Sequence, residues 1–367
     1  MKGFFRRMLP ALILGAVGAA VLAAYTLLRR SPAAMAAWLQ TIAMGWGRRA
    51  SGVCAVFGFS VAELCWTLGV LGLILFVVLA VRAVWRSRGR RWRVLGCRLL
   101  ALGCAGVFIW AGYTAFWGVG YLAPSFYSAQ TGLEAKPVSV EQLQRTTALF
   151  AQGANYYADQ VARDETGLFS EDLLALFSRT DALYTQLEQQ FPALAGPVRR
   201  AKPMFYSPLM SALGFTGFYF PFTGEANVNI HSPGCMVPAT IAHELAHQRG
   251  VVFEDEANFT GIAACLSQPD PVFRYSACLM GYIHLANALL AADAEAWEEI
   301  SGSLNQLVLR DLEDNNAFWA RYDTPVSDAA EGVYEGFLQS HGEERGMQSY
   351  GACVDLLVAF YQDADAL

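Results

Sequence analysis

The chain has 367 residues, of which 54% are hydrophobic and only 16% are charged, a composition too poor in charge for an ordinary soluble protein. Residues 1–122 carry 14 Lys and Arg and one acid, whereas residues 123–367 carry 12 Lys and Arg and 31 Asp and Glu. This imbalance predicts two regions, a basic apolar one and an acidic one. The only dense arginine cluster lies between two apolar segments, so nothing indicates nucleic acid as a partner.

Three apolar segments of the first region are long enough to cross a bilayer. They occupy residues 8–28, 64–81 and 99–122, and a helix needs about 20 apolar residues to span a hydrocarbon core of ~30 Å. The first is too long for the apolar part of a signal peptide, and Arg29 and Arg30 follow it directly. We therefore predict a transmembrane region over residues 1–122, with the lipid bilayer as a partner.

The orientation of these spans follows from the loop Arg82–Arg93, which contains six arginines in twelve residues. Short loops this basic remain in the cytoplasm. The second span then runs inward and the third outward, which predicts that residues 123–367 lie outside the cytoplasm. Four arginines fall on the outer side in this scheme, against the rule: Arg29, Arg30, Arg48 and Arg49.

The acidic region reads as mostly helical. Apolar residues recur every three or four positions in residues 138–162 and 170–191, which predicts two helices. Residues 214–230, GFTGFYFPFTGEANVNI, combine aromatic residues, glycines and short alternation, and predict a β hairpin. The expected fold is mainly α, with a small hairpin or sheet. The disulfide pairing of four cysteines stays open: Cys235, Cys265, Cys278 and Cys353.

Residues 240–259, TIAHELAHQRGVVFEDEANF, contain a metal-binding pattern. A proline before the pattern and a glycine after it suit the two ends of a helix, on which His243 and His247 lie at i and i+4. With Glu244 between them the pattern is H-E-x-x-H, in which two imidazoles bind zinc and the glutamate acts as general base. A buried histidine pair without a partner would be costly. The sequence therefore predicts a zinc site rather than a packing helix.

A catalytic zinc needs a third protein ligand and an open position for water. If a second helix begins near Glu254, then Glu254 and Asn258 share one face, whereas Glu256 points away. We favour Glu254 as the third ligand and keep Glu256 as the alternative. Asn258 is expected to hydrogen-bond a ligand histidine.

HELAH followed by E-x-x-A-N resembles the gluzincin zinc peptidases, which carry HExxH on one helix and a glutamate on the next. FYFPFTGEANVN, TIAHELAHQRG and EDEANF together resemble a family of uncharacterised bacterial membrane proteins, a domain of unknown function. This likeness covers nearly the whole chain. It implies a gluzincin-like, zincin-type domain over residues 123–367 and a place in the bacterial cell membrane, but no substrate.

The chain departs from better-known gluzincins in one respect, since only six residues separate His247 from Glu254. This short gap leaves open which glutamate binds the metal and how wide the cleft is. In the clan, a strand before the HExxH helix lines the cleft, and residues 217–230 stand in that place. An ordinary buried hairpin is the alternative interpretation.

The expected activity is that of a membrane-anchored zinc metallopeptidase acting on peptides or proteins of the cell envelope. Glu244 would take a proton from the zinc-activated water and deliver it to the leaving amine. The alternative is a non-catalytic, membrane-tethered zinc-binding sensor or scaffold, against which the intact Glu244 argues. No spacing fixes the donor to the oxyanion, for which four residues are candidates: Tyr350, His231, His341 and Arg321. His284 and Cys265 are interpreted as core residues.

Overall fold

The computed structural model describes residues 2–340 and 350–367, with side chains from residue 8 onward except 335, 337–340 and 350. This part of the chain is mainly helical. Its first half contains α1 (Lys2–Leu28), α2 (Pro32–Trp38), α3 (Met44–Cys54), α4 (Val61–Arg86), α5 (Arg91–Phe116), α6 (Phe126–Gln130), α7 (Val140–Ala158), α8 (Leu173–Leu176) and α9 (Leu187–Gln190). The second half contains α10 (Ser207–Ala212), α11 (Val237–Gln248), α12 (Glu254–Ser267), α13 (Pro271–Ala292), α14 (Ala294–Gly302), α15 (Gln306–Ala320), α16 (Pro325–Ser340) and α17 (Tyr350–Tyr361).

Long apolar helices near the N-terminus indicate a membrane-spanning protein. In α1, α4 and α5, only 6%, 0% and 6% of the most apolar stretch is buried within the protein. So much exposed apolar surface is stable only in an apolar medium. Helix α13 is also long and apolar enough to cross a membrane, but 56% of its stretch is buried. It packs in the main hydrophobic core with α7, α11, α12 and α17.

The third predicted span ends earlier than expected. Helix α5 stops at Phe116, and residues Gly118–Leu122 form a 3-10 turn that is mostly buried. At Gly120 a Cβ atom would lie 2.6 Å from Cγ2 of Val252, so only glycine allows this close approach. The apolar residues that extended the prediction to 122 therefore face protein rather than lipid.

The helix predicted over residues 170–191 is wrong. The structure forms only α8, a 3-10 turn at Phe177–Arg179 and α9 in this segment. The hydroxyl of Tyr184 donates to the carbonyl of Ala242 in α11 at 2.6 Å, and Leu183, Tyr184 and Leu187 are fully buried. Tertiary contacts therefore override the helical pattern. The other predicted helix, 138–162, is present as α7, with a capping box between Ser139 and Gln142.

The predicted hairpin is present as two strands of a three-stranded sheet: β1 (Lys202–Pro203), β2 (Gly217–Phe220) and β3 (Glu225–Val228). Strand β3 is central, with β1 parallel on one side and β2 antiparallel on the other. The register pairs Gly217 with Val228 and Phe220 with Glu225. Strand β2 is thus an edge strand, and it lies against α11.

The sheet is joined directly to the long apolar helix α4. The buried carboxylate of Glu225 accepts hydrogen bonds from the backbone N–H of Val61 at 3.2 Å and of Ala62 at 2.8 Å. It supplies the negative charge that a helix N-terminus favours. The hydroxyl of Ser60 donates to Oδ1 of Asn227 at 2.6 Å beside it. Helices α2 and α3 join the two regions as well, because Met35 and Met44 share a buried cluster with Trp117, Tyr121 and Val252.

Glu225→Ala is expected to lower the free energy of unfolding by about 2–3 kcal/mol, because the buried N–H of Ala62 and the partly buried N–H of Val61 lose a charged acceptor. Thermal unfolding of the full-length protein in detergent measures this loss. Glu141→Ala is the matched control, since Glu141 is an exposed acid in the first turn of α7. Equal unfolding temperatures for the two variants would show that Glu225 does not hold α4.

Candidate metal centre

Helix α11 places two histidines on one face, as the i, i+4 spacing predicts. The ring centroids of His243 and His247 are 4.7 Å apart. Gly250 ends this turn with a φ of +95°, a conformation that glycine adopts without strain. Helix α12 then packs closely on α11, because a Cβ atom at Gly261 would lie 2.7 Å from the backbone nitrogen of His243. This contact brings the first residue of α12, Glu254, to the histidines.

Three side chains form a cluster that could bind a metal ion: His243, His247 and Glu254. Their ligand atoms all lie within 4.8 Å of one another. Oε2 of Glu254 is 3.2 Å from Nε2 of His243 and 3.5 Å from Nε2 of His247. Nδ1 of His247 lies 2.7 Å from the carbonyl oxygen of Val251, which accepts a hydrogen bond from the Nδ1–H group. In the neutral imidazole Nε2 is then unprotonated and directed at the cluster.

The cluster couples the charges of its members. Burial raises the pKa of Glu254, but the two imidazoles outweigh it and hold that pKa well below the ordinary value. Burial lowers the pKa of His247, but the carboxylate of Glu254 raises it, and the net result is a pKa of about 9. A metal cation between these side chains would take over from the imidazole proton in balancing the negative charge of Glu254.

Glu244 lies beside the cluster without belonging to it. Its carboxyl group is buried, and among the described residues Oε2 has no hydrogen-bond partner. Burial raises the pKa of Glu244 to about 7, although His243 and His247 oppose the shift. Strand β2 begins directly against this group, since a Cβ atom at Gly217 would collide with Oε1 of Glu244. A buried carboxyl group with one oxygen left without a partner, beside a candidate metal site, suits a general base.

Glu256, the alternative third ligand, is engaged elsewhere. Its carboxylate accepts hydrogen bonds from the hydroxyl of Ser125 and from the backbone N–H groups of Phe126 and Tyr127, both at 3.1 Å. It therefore caps the N-terminus of α6. Asn258 lines the same cavity as the histidines, but no described hydrogen bond joins it to either of them.

Of the four candidate oxyanion donors, the structure describes the side chains of His231 and Arg321, and their described contacts lie away from the cluster. His231 contacts the hydroxyl of Ser211 and the ring of Phe318, and it is not among the lining residues of the cavity. Arg321 stacks over Phe318, 5.0 Å from the ring centroid. His341 and the side chain of Tyr350 lie outside the described residues.

Tyr334 and His284 line the cavity near the cluster, and neither was predicted for the site. The hydroxyl of Tyr334 in α16 donates to Oε1 of Glu254 at 3.0 Å. His284 of α13, interpreted as a core residue, lines the cavity, and burial together with the nearby His243 lowers its pKa to about 4. Sequence spacing offers no signal for either, because 80 residues separate Tyr334 from Glu254. Cys265 is buried as expected, and all eight cysteines are free thiols.

A model of the family described as "Protein of unknown function (DUF3810)" matches residues 45–358. The chain belongs to the DUF3810 family. The predicted resemblance to a domain of unknown function is therefore confirmed, whereas the relation to gluzincin peptidases stays a prediction. No curated protein matches this DUF3810 chain, and no solved structure does.

In this DUF3810 protein, Tyr334→Phe is expected to weaken metal binding about 10–100-fold, because the mutation removes the hydrogen bond that orients the Glu254 carboxylate. Titration of the metal-free, full-length protein with zinc measures the affinity. Tyr156→Phe, at an exposed position of α7, is the control. Unchanged affinity in the Tyr334 variant would show that Glu254 holds its position without this bond.

Proposed function

We propose that the protein is a membrane-anchored, zinc-dependent metallopeptidase that hydrolyses peptide bonds. The observation that carries the proposal is the buried carboxyl group of Glu244, whose Oε2 has no hydrogen-bond partner among the described residues, next to the cluster of His243, His247 and Glu254. A site built only to hold a metal has no use for such a group. The same feature weighs against the alternative function, a non-catalytic zinc-binding sensor or scaffold.

The donor set supports zinc as the metal. Two imidazole nitrogens and one carboxylate oxygen are ligands that catalytic zinc sites use, with one further position left for water. The hydrogen bond from Nδ1 of His247 to Val251 favours the tautomer in which Nε2 is the ligand atom. When bound, zinc supplies a Lewis acid that lowers the pKa of a water molecule toward ~7.

The chain's own residues would then move the protons. Glu244 accepts the proton of the attacking water, a role suited to a buried carboxylate beside the candidate metal site. It then donates this proton to the amine that leaves. Tyr334 keeps the Glu254 carboxylate in place through its hydrogen bond to Oε1.

The arrangement of α4 and α5 supports an extracytoplasmic site. Helix α4 begins at the sheet, and α5 ends beside the same sheet, where the ring of Phe116 lies 6.2 Å from that of Phe222. The arginine-rich turn between them is therefore at the opposite end of the pair. A cytoplasmic position of this basic loop would place the metal cluster on the other side of the bacterial cell membrane.

The test uses the full-length protein purified in detergent. We expect about one zinc ion per chain and cleavage of an unfolded polypeptide, such as reduced casein, that stops with a chelator and returns with zinc. Folded protein that binds no zinc, or cleavage that ignores the chelator, would contradict the proposal.

A further inference from the structure

The cavity at the metal cluster extends far beyond it. Its volume is about 1220 Å³, larger than the ~300–1,000 Å³ of typical small-molecule sites. One end is lined by Glu244 and by the three candidate metal ligands, His243, His247 and Glu254. The other end is lined by residues of two membrane helices: Trp66 and Gly69 of α4, and Gly106, Ile109 and Trp110 of α5.

The cavity reaches deep along these helices. Gly69 lies eight residues after the start of α4, and Gly106 lies ten residues before the end of α5. At 1.5 Å per residue these positions are about 12 Å and 15 Å from the ends nearest the sheet. This depth is roughly half of a hydrocarbon core of ~30 Å.

Helices α4 and α5 leave a gap between them. Helix α1 packs tightly on α5, where Gly15 meets Cys104 and Gly18 meets the backbone of Phe108. By contrast, Ala62 is the one buried residue among the described residues of α4. A Cβ atom at Gly69 or Gly106 would meet nothing within 4 Å. Side chains of the described residues therefore do not close the gap at the level of Gly69 and Gly106.

At the end of the cavity near His243, His247 and Glu254, strand β2 presents the backbone of an edge strand. The N–H of Asn229 bonds to the carbonyl of Thr216 at 2.8 Å, and bonded pairs alternate along an antiparallel ladder. The N–H and C=O groups of Gly217 and Tyr219 therefore point away from β3, toward the free side of β2. An extended polypeptide can pair with this edge, which begins against Glu244.

Aromatic residues connect this edge with the membrane helices. The ring of Phe220, at the end of β2, lies 6.0 Å from the ring of Trp66 on α4. The ring of Phe222 packs against Gly112 of α5. One end of a chain paired with β2 would thus lie at Glu244, and the other at the gap between α4 and α5.

We propose that the substrate is a polypeptide with its own membrane-spanning helix, which enters sideways between α4 and α5 and presents an extended segment to β2. This inference rests on the peptidase function proposed above. The backbone edge selects a polypeptide over a lipid, because an acyl chain has no donors or acceptors to pair with it. The apolar gap selects a membrane-anchored polypeptide over a soluble one.

The test compares two substrates in liposomes of phosphatidylcholine and phosphatidylglycerol that contain the full-length, zinc-loaded protein. Each substrate is a mixture of peptides, and the two mixtures contain the same short unstructured segments. In the anchored substrate every segment continues into a helix of about 20 leucine and alanine residues, and in the soluble substrate it does not. Gly106→Leu fills the gap. Gly96→Leu is the matched control, because Gly96 is an open position of α5 that does not line the cavity.

We expect the anchored substrate to be cleaved with the higher kcat/KM. Gly106→Leu should lower kcat/KM for the anchored substrate roughly tenfold or more, and should leave any cleavage of the soluble substrate within roughly twofold of wild type. Gly96→Leu should cleave both substrates within roughly twofold of wild type. Equal cleavage of both substrates, equal effects of the two glycine variants, or hydrolysis of the liposome lipids in place of the peptide would overturn the inference. If the wild type cleaves neither substrate nor unfolded casein, the peptidase function itself fails.

Discussion

Glu244→Gln should abolish peptide hydrolysis while the protein retains its metal. The amide has nearly the shape of the carboxyl group but cannot accept the proton of the attacking water. General base catalysis contributes about 10²–10⁴-fold, so kcat should fall by at least that range. Metal content should not change, because Glu244 is not one of the three residues whose ligand atoms form the cluster.

The measurement pairs kcat on an unfolded polypeptide with the zinc content of the same preparation. Glu134→Gln, at an exposed position, is the matched control and should behave as the wild type. Undiminished turnover in Glu244→Gln would place the base elsewhere. If the wild type binds zinc but never turns over, the sensor or scaffold becomes the better explanation.

Glu254→Ala should lose the metal, and Glu256→Ala should keep it. Removing Glu254 deletes the carboxylate whose Oε2 lies 3.2 Å and 3.5 Å from the two histidine Nε2 atoms. The expected loss of affinity is roughly 100-fold or more, beyond the loss on removal of a residue that only orients a ligand. Glu256→Ala should instead lower stability by about 2–3 kcal/mol, because its carboxylate holds the first N–H groups of α6.

Zinc content after dialysis and thermal unfolding of each zinc-loaded variant separate these two effects. The two glutamates are only two residues apart, so each variant is a close control for the other. Loss of zinc in Glu256→Ala with retention in Glu254→Ala would reverse the assignment.

The core of the site could be predicted because it depends on local spacing. The pair His243 and His247 needs one helix, and the position of Glu254 needs only a short turn and the start of a second helix. The hairpin before them was predictable for the same reason, since glycines and alternation are local signals.

Other features depend on contacts between distant segments. Tyr334 reaches Glu254 from 80 residues away, and Ser125 binds Glu256 across 131 residues. The helix predicted over 170–191 failed because Tyr184 is drawn onto α11, and the last predicted span was too long because Gly120 packs on Val252. Periodicity cannot separate burial in protein from burial in lipid, since both require apolar side chains.

The hydrogen bonds from Val61 and Ala62 to Glu225 bear on how such a protein can evolve. An anchor that merely tethers a domain can be exchanged for another by recombination, because the linker is the only shared part. Here the first turn of α4 and the central strand of the sheet complete each other's hydrogen bonding. A recombinant carrying residues 123–367 on a foreign anchor would leave the Glu225 carboxylate buried without these donors. Residues 1–122 and residues 123–367 are therefore expected to fold as one unit and not as an exchangeable anchor and domain.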